Sequence, residues 1–272
     1  MKKIQIPNFY DIYKDSKAIP LLQTVVGSYM TGLFYEDSDY DYRAVHVYNK
    51  DDYISVRSEI QSVLESKNGK IDGVSSELGA FLANIDKNSY NAYEIVNSQY
   101  TEFYGSDELK KEFENVCKSC FNPYKLCSSY IGAMASAVAG LNKAFSTKDA
   151  RKAIKCFFLH HRMLASYYYT LKNREDKLFP PTILSELHKK LGASAPSDLP
   201  DINIMYAGSK KDPDKVINIL CEGLDELNTQ TDNAIKIQKP ILLEKIEETK
   251  KDNRELLNNF YRKAVYELSN NN

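Results

Sequence analysis

An acidic run at residues 37–41, Asp-Ser-Asp-Tyr-Asp, opens onto an alternating pattern that constrains the fold more than any other feature. Residues 41–48 alternate with period two, which predicts a half-buried strand. Successive side chains of a strand point to opposite faces, so Asp39 and Asp41 are expected on the same face. Asp37 shares that period but is expected to precede the strand. The sequence thus predicts two carboxylates side by side at the start of one strand.

The segment upstream of the run ends in a glycine-serine pair. Residues 21–26 are apolar and β-branched, as in a buried strand, and lead into Gly27-Ser28. Glycine lets the backbone approach a phosphate closely, and the following N–H groups and the serine hydroxyl can donate to its oxygens. An acidic turn before an ordinary strand, or Gly-Ser in a loop, is common when found alone. Ten residues separate Ser28 from Asp39, and this combination favours a catalytic site.

The two carboxylates suggest a bound cation. Carboxylates that share one strand face repel each other unless a cation lies between them. Oxygen ligands of this kind suit Mg²⁺, and Mn²⁺ accepts the same donors. Two such ions can activate an attacking oxygen and stabilise a leaving one in an in-line displacement. Asp39 and Asp41 are therefore candidate ligands of two Mg²⁺ ions.

The rest of the first hundred residues mixes strand and helix signals. A hairpin is predicted around Lys67-Asn68-Gly69, because Asn-Gly joins two strand-like runs. Four strands are expected, and alternation turns Tyr40 and Tyr42 of the second strand toward the core. Helices are expected near residues 77–85 and 89–97.

From about residue 107 onward the pattern is almost entirely helical. Ser146 and Thr147 are the expected caps of a long amphipathic helix. Pro, Ser, Asp and Gly are frequent over residues 193–213, which predicts a long loop. The predicted fold class is α+β: a mixed sheet with flanking helices over residues 1–115, followed by an all-helical domain over residues 116–272. The helices expected in this second part are 124–145, 149–172, 212–228 and 241–268.

Charge and cysteine usage exclude several classes of protein. The formal net charge is −1, from 36 Lys and Arg against 37 Asp and Glu, so no global basic field attracts nucleic acid or anionic membrane. No apolar run reaches the roughly 18 residues that span a bilayer. No stretch resembles a secretion signal, so a cytoplasmic protein without a membrane partner is expected. Cys117, Cys120 and Cys127 lack a fourth zinc ligand at a usual spacing, which favours buried thiols.

The glycine-serine pair and the acidic run together resemble a known family. Gly-Ser-x-x-x-Gly at 27–32 is followed by Asp-Ser-Asp-Tyr-Asp-x-Arg at 37–43. This arrangement resembles the polymerase-beta nucleotidyltransferase superfamily, and within it the RNA-ligase-associated group of predicted nucleotidyltransferases. The resemblance implies a polymerase-beta-type sheet at the start of the chain.

The resemblance also implies roles for individual residues. Gly27, Ser28 and Arg43 would bind the nucleotide. The superfamily takes a third carboxylate from a later strand, and Asp72 stands where that group places an acid. The implied set of catalytic and metal-binding residues is Asp39, Asp41 and Asp72.

A fainter resemblance extends into the helical half. Lys155 and the Arg162-Met-Leu sequence are similar to the Lys…His-x-x-Arg-Leu-Leu helix of that group, with Leu159 in place of the His. Lys155 and Arg162 are seven residues apart and share a helical face. The resemblance implies that both bind the triphosphate or substrate. A solvated basic face that also includes Arg151 and Lys152 is the plainer alternative.

These features predict a metal-dependent nucleotidyltransferase. It would move an NMP from an NTP, foremost ATP, to an acceptor hydroxyl with release of pyrophosphate. The acceptor would be an RNA end such as that of tRNA, as the RNA-ligase-associated resemblance implies, or a protein side chain, with a small molecule as a third alternative. The other class left open is a catalytically degenerate protein that binds nucleotide or acts as an antitoxin-like partner.

Overall fold

The computed structural model of the chain describes residues 10–14, 16–35, 38–56, 60–192 and 200–271. Asp37 lies outside the described residues, so its predicted place before the strand stays a prediction. The chain divides into two compact units. One unit comprises Met1–Phe121 together with Lys251–Asn272, and the other comprises Asn122–Lys250.

A five-stranded mixed sheet organises the first unit. The strands follow the spatial order β3-β4-β2-β1-β5, in which β2 and β4 are parallel and the other neighbours antiparallel. All four predicted strands are present, and the fifth has only two residues, too few for a sequence signal. The strands are β1 (Ile19–Val26), β2 (Tyr40–Val47), β3 (Val63–Asn68), β4 (Ile71–Glu77) and β5 (Glu102–Phe103).

Several helices flank this sheet, and the α+β fold class is confirmed. The two helices predicted before residue 100 are present as α3 and α4. The helices of this unit are a 3-10 helix (Tyr10–Tyr13), α1 (Gly27–Thr31), α2 (Lys50–Ile54), α3 (Leu78–Asp86), α4 (Tyr90–Asn97), α5 (Asp107–Cys120) and, at the end of the chain, α13 (Arg254–Asn271).

One face of the sheet carries a tyrosine-rich core. Tyr42 is 1% exposed and packs with Val25, Ala44 and Tyr13. Tyr40 is partly buried against the same cluster. Both tyrosines therefore face the core, as the alternation predicts, and the odd-numbered side chains of β2 are directed to the opposite face.

The last helix of the chain packs within the sheet unit. Phe260 of α13 is fully buried and its ring lies 5.6 Å from that of Phe113 on α5. Tyr261 donates a hydrogen bond of 3.0 Å to the buried carboxylate of Glu77, at the end of β4. The expected division between residues 115 and 116 falls inside α5, whereas the compact units separate after Phe121 and again after Lys250.

The second unit is entirely helical in its described residues. Its helices are α6 (Pro123–Ser146), α7 (Ala150–Lys172), α8 (Leu184–Leu191), α9 (Ile202–Lys211), α10 (Pro213–Glu222), α11 (Leu224–Asn233), a π-helical segment (Ala234–Gln238) and α12 (Lys239–Glu248). The π segment ends two residues before Pro240. Proline lacks an N–H, and its ring clashes with the carbonyl one turn earlier in a regular helix. Within the described ranges, no helix is both long and apolar enough to cross a bilayer.

Two predictions about this unit were wrong. The cap of α7 is Asp149, whose Oδ1 accepts the Lys152 N–H at 3.0 Å. Ser146 and Thr147 instead donate back to the Lys143 carbonyl, because they belong to the end of α6. The predicted loop over 193–213 contains α9, which the Asp201 carboxylate caps.

The predicted helix over 241–268 is also interrupted. Helix α12 ends at Glu248 and α13 begins at Arg254. Thr249 bends its hydroxyl back to the Lys245 carbonyl at 2.7 Å, which satisfies a carbonyl of the last turn of α12. The two helices belong to different compact units, so the break separates the units as well.

Candidate active site

Two of the predicted carboxylates meet across the parallel strand pair. Asp41 on β2 and Asp72 on β4 are direct register partners. Neighbouring strands lie about 4.8 Å apart, and partners in adjacent strands point to the same face. Asp41 and Asp72 therefore lie side by side on the face opposite the tyrosine-rich core.

Gly27 completes this arrangement from the end of β1. Val26 pairs with Asp41, and Gly27 follows in a left-handed conformation with φ +65°. A Cβ atom on Gly27 would run into the Asp41 carboxylate. Glycine is required here twice, by its backbone conformation and by the close approach of the carboxylate.

A short helix, α1, holds Ser28 beside that glycine. Thr31 closes the helix by donating its hydroxyl to the Gly27 carbonyl at 3.0 Å and to the Ser28 carbonyl at 3.2 Å. Gly32 ends the helix with φ +73°. The Gly-Ser pair therefore opens a short helix directly after β1, and Ser28 remains partly exposed.

Asp39 stands immediately before β2 and is exposed. Tyr35 and Ser38 fix the chain ahead of it with two hydrogen bonds of 2.9 Å. One runs from the Tyr35 N–H to the Ser38 hydroxyl, and the other runs from the Ser38 N–H to the Tyr35 carbonyl. These two bonds hold Ser38 directly before Asp39, which lies two residues ahead of Asp41.

Lys67 is a site residue that the sequence analysis missed. It pairs with Asp72 in the β3–β4 hairpin, and its Nζ lies 3.8 Å from the Asp72 carboxylate. The row across the sheet is thus Lys67, Asp72, Asp41. Both members of the ion pair are largely exposed, with side-chain exposures of 78% and 46%, so it is weak. The hairpin register, once fixed by Gly69, could have identified it.

Arg43 lies two residues beyond Asp41 on β2 and is directed to the same face. Its Nη1 donates to the Tyr42 carbonyl at 2.8 Å. Its register partner on β4 is Val74. Arg43 is thus one step farther along the sheet than the two carboxylates.

The two cations predicted on α7 differ in their surroundings. Lys155 is exposed, whereas Arg162 is only 7% exposed. The first half of the helix has one buried and one exposed face, whereas the helix is buried all round from His160 to Tyr167. Arg162 therefore does not belong to a solvated basic face. Both residues lie in the helical unit, whereas the three carboxylates lie in the sheet unit.

The carboxylates of the sheet are the candidate ligands of a magnesium ion. Among the residues that the structure describes, no three His, Cys, Asp or Glu side chains lie close enough together to hold a metal ion. Asp41 and Asp72 nevertheless place carboxylate oxygens side by side, with Asp39 two residues upstream. Carboxylates are the ligands that Mg²⁺ prefers, so these residues fit it chemically.

The cysteines follow the plainer expectation. Cys117, Cys120 and Cys127 are all buried. Burial raises the pKa of the Cys117 and Cys127 thiols well above the ordinary value, because a thiolate is poorly solvated there. They are packing residues at helix ends.

Comparison with known proteins places this geometry in context. The profile of the family RlaP, described as an RNA repair pathway DNA polymerase beta family, matches residues 1–262. A curated protein from Methanocaldococcus jannaschii, named uncharacterized protein MJ0002, is 29% identical over 113 residues. That match covers 39% of this chain and 46% of the relative, so the chain spans less than half of the length of the relative it matches.

Proposed function

The chain belongs to the RNA repair pathway DNA polymerase beta family, and on that basis we propose that it is a nucleotidyltransferase that moves an NMP from an NTP to an acceptor hydroxyl. The family supports a nucleotidyltransferase-type role in RNA repair. The single observation that carries the proposal is the direct pairing of Asp41 with Asp72 on parallel strands, with Gly27 packed against Asp41.

The chemistry is an in-line displacement at phosphorus. The acceptor oxygen forms a bond to the α-phosphorus, and the bond from that phosphorus to the bridging oxygen breaks, so pyrophosphate leaves. The acceptor proton passes to the Asp72 carboxylate, which is partly exposed. Gly27 and Ser28 bind the phosphates through backbone N–H groups and the serine hydroxyl. Most of the acceleration comes from positioning and charge complementarity.

Asp39, Asp41 and Asp72 are the residues that would hold Mg²⁺, or Mn²⁺ in its place. When bound, the metal supplies charge neutralisation for the phosphate oxygens. Lys67 pairs with Asp72 at the edge of this site and offsets part of the carboxylate charge. Its ammonium group is exposed enough to turn to a phosphate.

Three further cations are proposed to bind the nucleotide. Arg43 lies on the carboxylate face of β2, and its position in the motif supports a role at the phosphates. Lys155 and Arg162 are assigned by resemblance alone. The buried state of Arg162 also permits a purely structural role. Arg162→Lys keeps the charge without the planar fork. A structural role predicts a lower urea unfolding midpoint for this variant, whereas a binding role predicts a raised KM for the NTP at an unchanged midpoint.

The proposed acceptor is an RNA end, and ATP is the first donor to test. The proposed compartment is the cytoplasm. The family description, an RNA repair pathway, supports RNA over a protein side chain. The near-neutral charge of the chain implies a local binding surface rather than a global basic field. Each labelled NTP incubated with total RNA, and separately with cell lysate, identifies the donor base and the acceptor class from the labelled product.

The test of the site is the pair of variants Asp39→Asn and Asp41→Asn. Each keeps the side-chain volume and removes the negative charge, so transfer should fall by at least about 100-fold, the scale expected for lost electrostatic stabilisation. Label incorporation and the urea unfolding midpoint are measured for both. Asp176→Asn, an exposed aspartate in the turn after α7, is the matched control and should leave both unchanged. Wild-type turnover in both site variants would refute the assignment.

A degenerate nucleotide-binding protein is the second candidate. It is favoured by one observation, that no three metal-ligating side chains of the described residues converge. Such a protein binds NTP without releasing pyrophosphate. Pyrophosphate release with each NTP and Mg²⁺ therefore separates the two candidates.

A further inference from the structure

Three aromatic rings form a parallel stack beside the catalytic motif. Tyr29 lies in the middle. Its ring centroid is 4.4 Å from that of Tyr40, with 8° between the ring planes, and 4.9 Å from that of Phe34, with 7° between the planes. Nearly parallel rings at these centroid distances are offset-stacked, which is one of the geometries that aromatic pairs prefer. Three nearly parallel rings in sequence therefore form a continuous stacking column with Phe34 at one end.

The column is built from the motif residues themselves. Tyr29 follows Gly27-Ser28 in α1, and Tyr40 lies between Asp39 and Asp41. The Tyr29 pKa is raised to about 12, first by burial, then by its hydrogen bond to Tyr40, and also by the negative charge of Asp39. The Asp39 carboxylate is thus close enough to Tyr29 to act on it electrostatically, which places the column beside the proposed site.

The two ends of the column differ in exposure. Tyr29 and Tyr40 are partly buried and pack against the tyrosine-rich core. Phe34 lies beyond Gly32, in the segment that leads back to Asp39, and 40% of it is exposed. The tyrosines are explained by packing alone, whereas the exposed phenylalanine extends the column away from the core toward solvent.

We propose that Phe34 ends a base-stacking platform, on which a nucleobase of the substrates stacks as the next ring of the column. The inference rests on the proposed nucleotidyl transfer and adds a binding site for the base to the site for the phosphates. Stacking tolerates any base, because every base has a π-face. The platform therefore contributes affinity without selecting the base.

The nucleobase has two sources, the NTP and the end of the acceptor RNA. The chain contains 20 tyrosines and no tryptophan, so Phe34→Trp installs a single indole at the end of the column, whose emission can be excited selectively over that of the tyrosines. Stacking of a base on that indole quenches its emission. ATP with Mg²⁺ and a short single-stranded RNA are titrated separately, and the ligand that quenches is the source of the base. Inorganic triphosphate, which has no base, is the negative control.

A second variant set separates stacking from bulk. Phe34→Leu keeps an apolar side chain but removes the π-face, and Phe34→Tyr keeps the ring. Loss of one stacked base should raise the KM or Kd of the stacking ligand by roughly 5- to 100-fold in Phe34→Leu. In Phe34→Tyr, the KM or Kd of the same ligand should stay near the wild-type value, because the ring is kept. A purely structural role predicts instead that Phe34→Leu lowers the unfolding midpoint and leaves both constants unchanged.

The outcomes are distinguishable from failure of the proposed function. One outcome refutes the platform while the transferase stands. In it, wild-type protein transfers nucleotide, no ligand quenches the emission of Phe34→Trp, and Phe34→Leu keeps the wild-type KM and Kd. If quenching occurs and wild-type protein releases no pyrophosphate, the platform stands and the transferase is refuted. Quenching by inorganic triphosphate equal to that by ATP also overturns the platform.

Discussion

At the scale of single residues, Gly27 carries two constraints at once. Its φ of +65° is unfavourable for any side chain, and a Cβ would displace the Asp41 carboxylate. Gly27→Ala is therefore expected to lower transfer by about 100-fold, since small misplacements of a reacting group have effects of that size. The left-handed backbone adds a stability loss of about 1–2 kcal/mol. Transfer rate and urea unfolding are the measurements.

Gly69 supplies the matched control for that substitution. It has a similar φ of +60°, but nothing lies within 4 Å of the position of its missing Cβ. Gly69→Ala should show the same stability loss, and because no side chain is displaced, its effect on transfer should be much smaller than that of Gly27→Ala. Equal transfer by both alanine variants would mean that the contact with Asp41 has no catalytic consequence.

How far the sequence predicts individual residues depends on the range of the interaction. Alternation within β2 is local, and it places Asp41 on the face opposite Tyr42. Asp39 precedes β2, so its place on the same face as Asp41 stays a prediction. The place of Asp72 beside Asp41 was predicted only through a family resemblance, because the sequence of one strand does not determine which strand it pairs with. Lys67 was missed for the same reason, although the hairpin that positions it was predicted.

At the scale of elements, local signals predict most helices and strands and fail in identifiable places. The strand β5 has two residues and no periodicity to detect. Helix α9 was taken for a loop because it includes Gly208 and Ser209 between segments rich in turn residues, although its capping residue Asp201 is a standard start signal. The cap of α7 was misplaced by two to three residues, which is the usual uncertainty of helix ends.

Helix α13 provides a direct test of the element grouping. Phe260 is fully buried beside Phe113, so Phe260→Ala should destabilise the sheet unit by about 3–5 kcal/mol. The neighbouring Asn259→Ala, an exposed position on the same helix, should be neutral. Urea unfolding of the full chain measures both. Equal midpoints for the two variants would show that α13 contributes no packing to the sheet.

At the scale of the whole molecule, the division into units was the hardest feature to predict. The change from strand to helix patterns near residue 107 marks where helices begin, but α5 belongs to the sheet unit. The return of α13 to that unit is a long-range contact with no local signature. The fold class was still predicted correctly, because strand signals in the first hundred residues followed by a run of helices are the pattern of an α+β protein.

Each unit also buries histidine in its neutral form, which makes the stability of the molecule depend on pH. In the sheet unit, His46 bonds to the Ser75 hydroxyl at 2.8 Å, and burial lowers its pKa. In the helical unit, burial is the largest cause that lowers the pKa of His160 and His161 to about 4. His161 is only 6% exposed, and neither of its ring nitrogens has a hydrogen-bond partner among the described residues.

The sign of the pH effect follows from these pKa values. Between pH 6.5, the ordinary value, and about pH 4, the unfolded chain binds a proton at His161 that the folded chain does not. The contribution of His161 to the free energy of unfolding is therefore fully present above pH 6.5. It falls as the pH decreases below that value, by up to about 1.4 kcal/mol per pH unit. Below about pH 4 the folded form binds the proton as well, and the loss from this group stops.

His161→Phe tests this argument. The ring stays apolar against Phe157, whose centroid is 4.5 Å away, and the unpartnered nitrogens are removed. The variant should be at least as stable as the wild type at pH 7, because an unsatisfied buried polar group costs about 1–3 kcal/mol. Its stability should also fall less steeply between pH 6.5 and 4.5. Tyr168→Phe, exposed on the same helix, should keep the wild-type slope in urea unfolding at both pH values. A wild-type slope in His161→Phe would mean that this histidine is protonated in the folded chain.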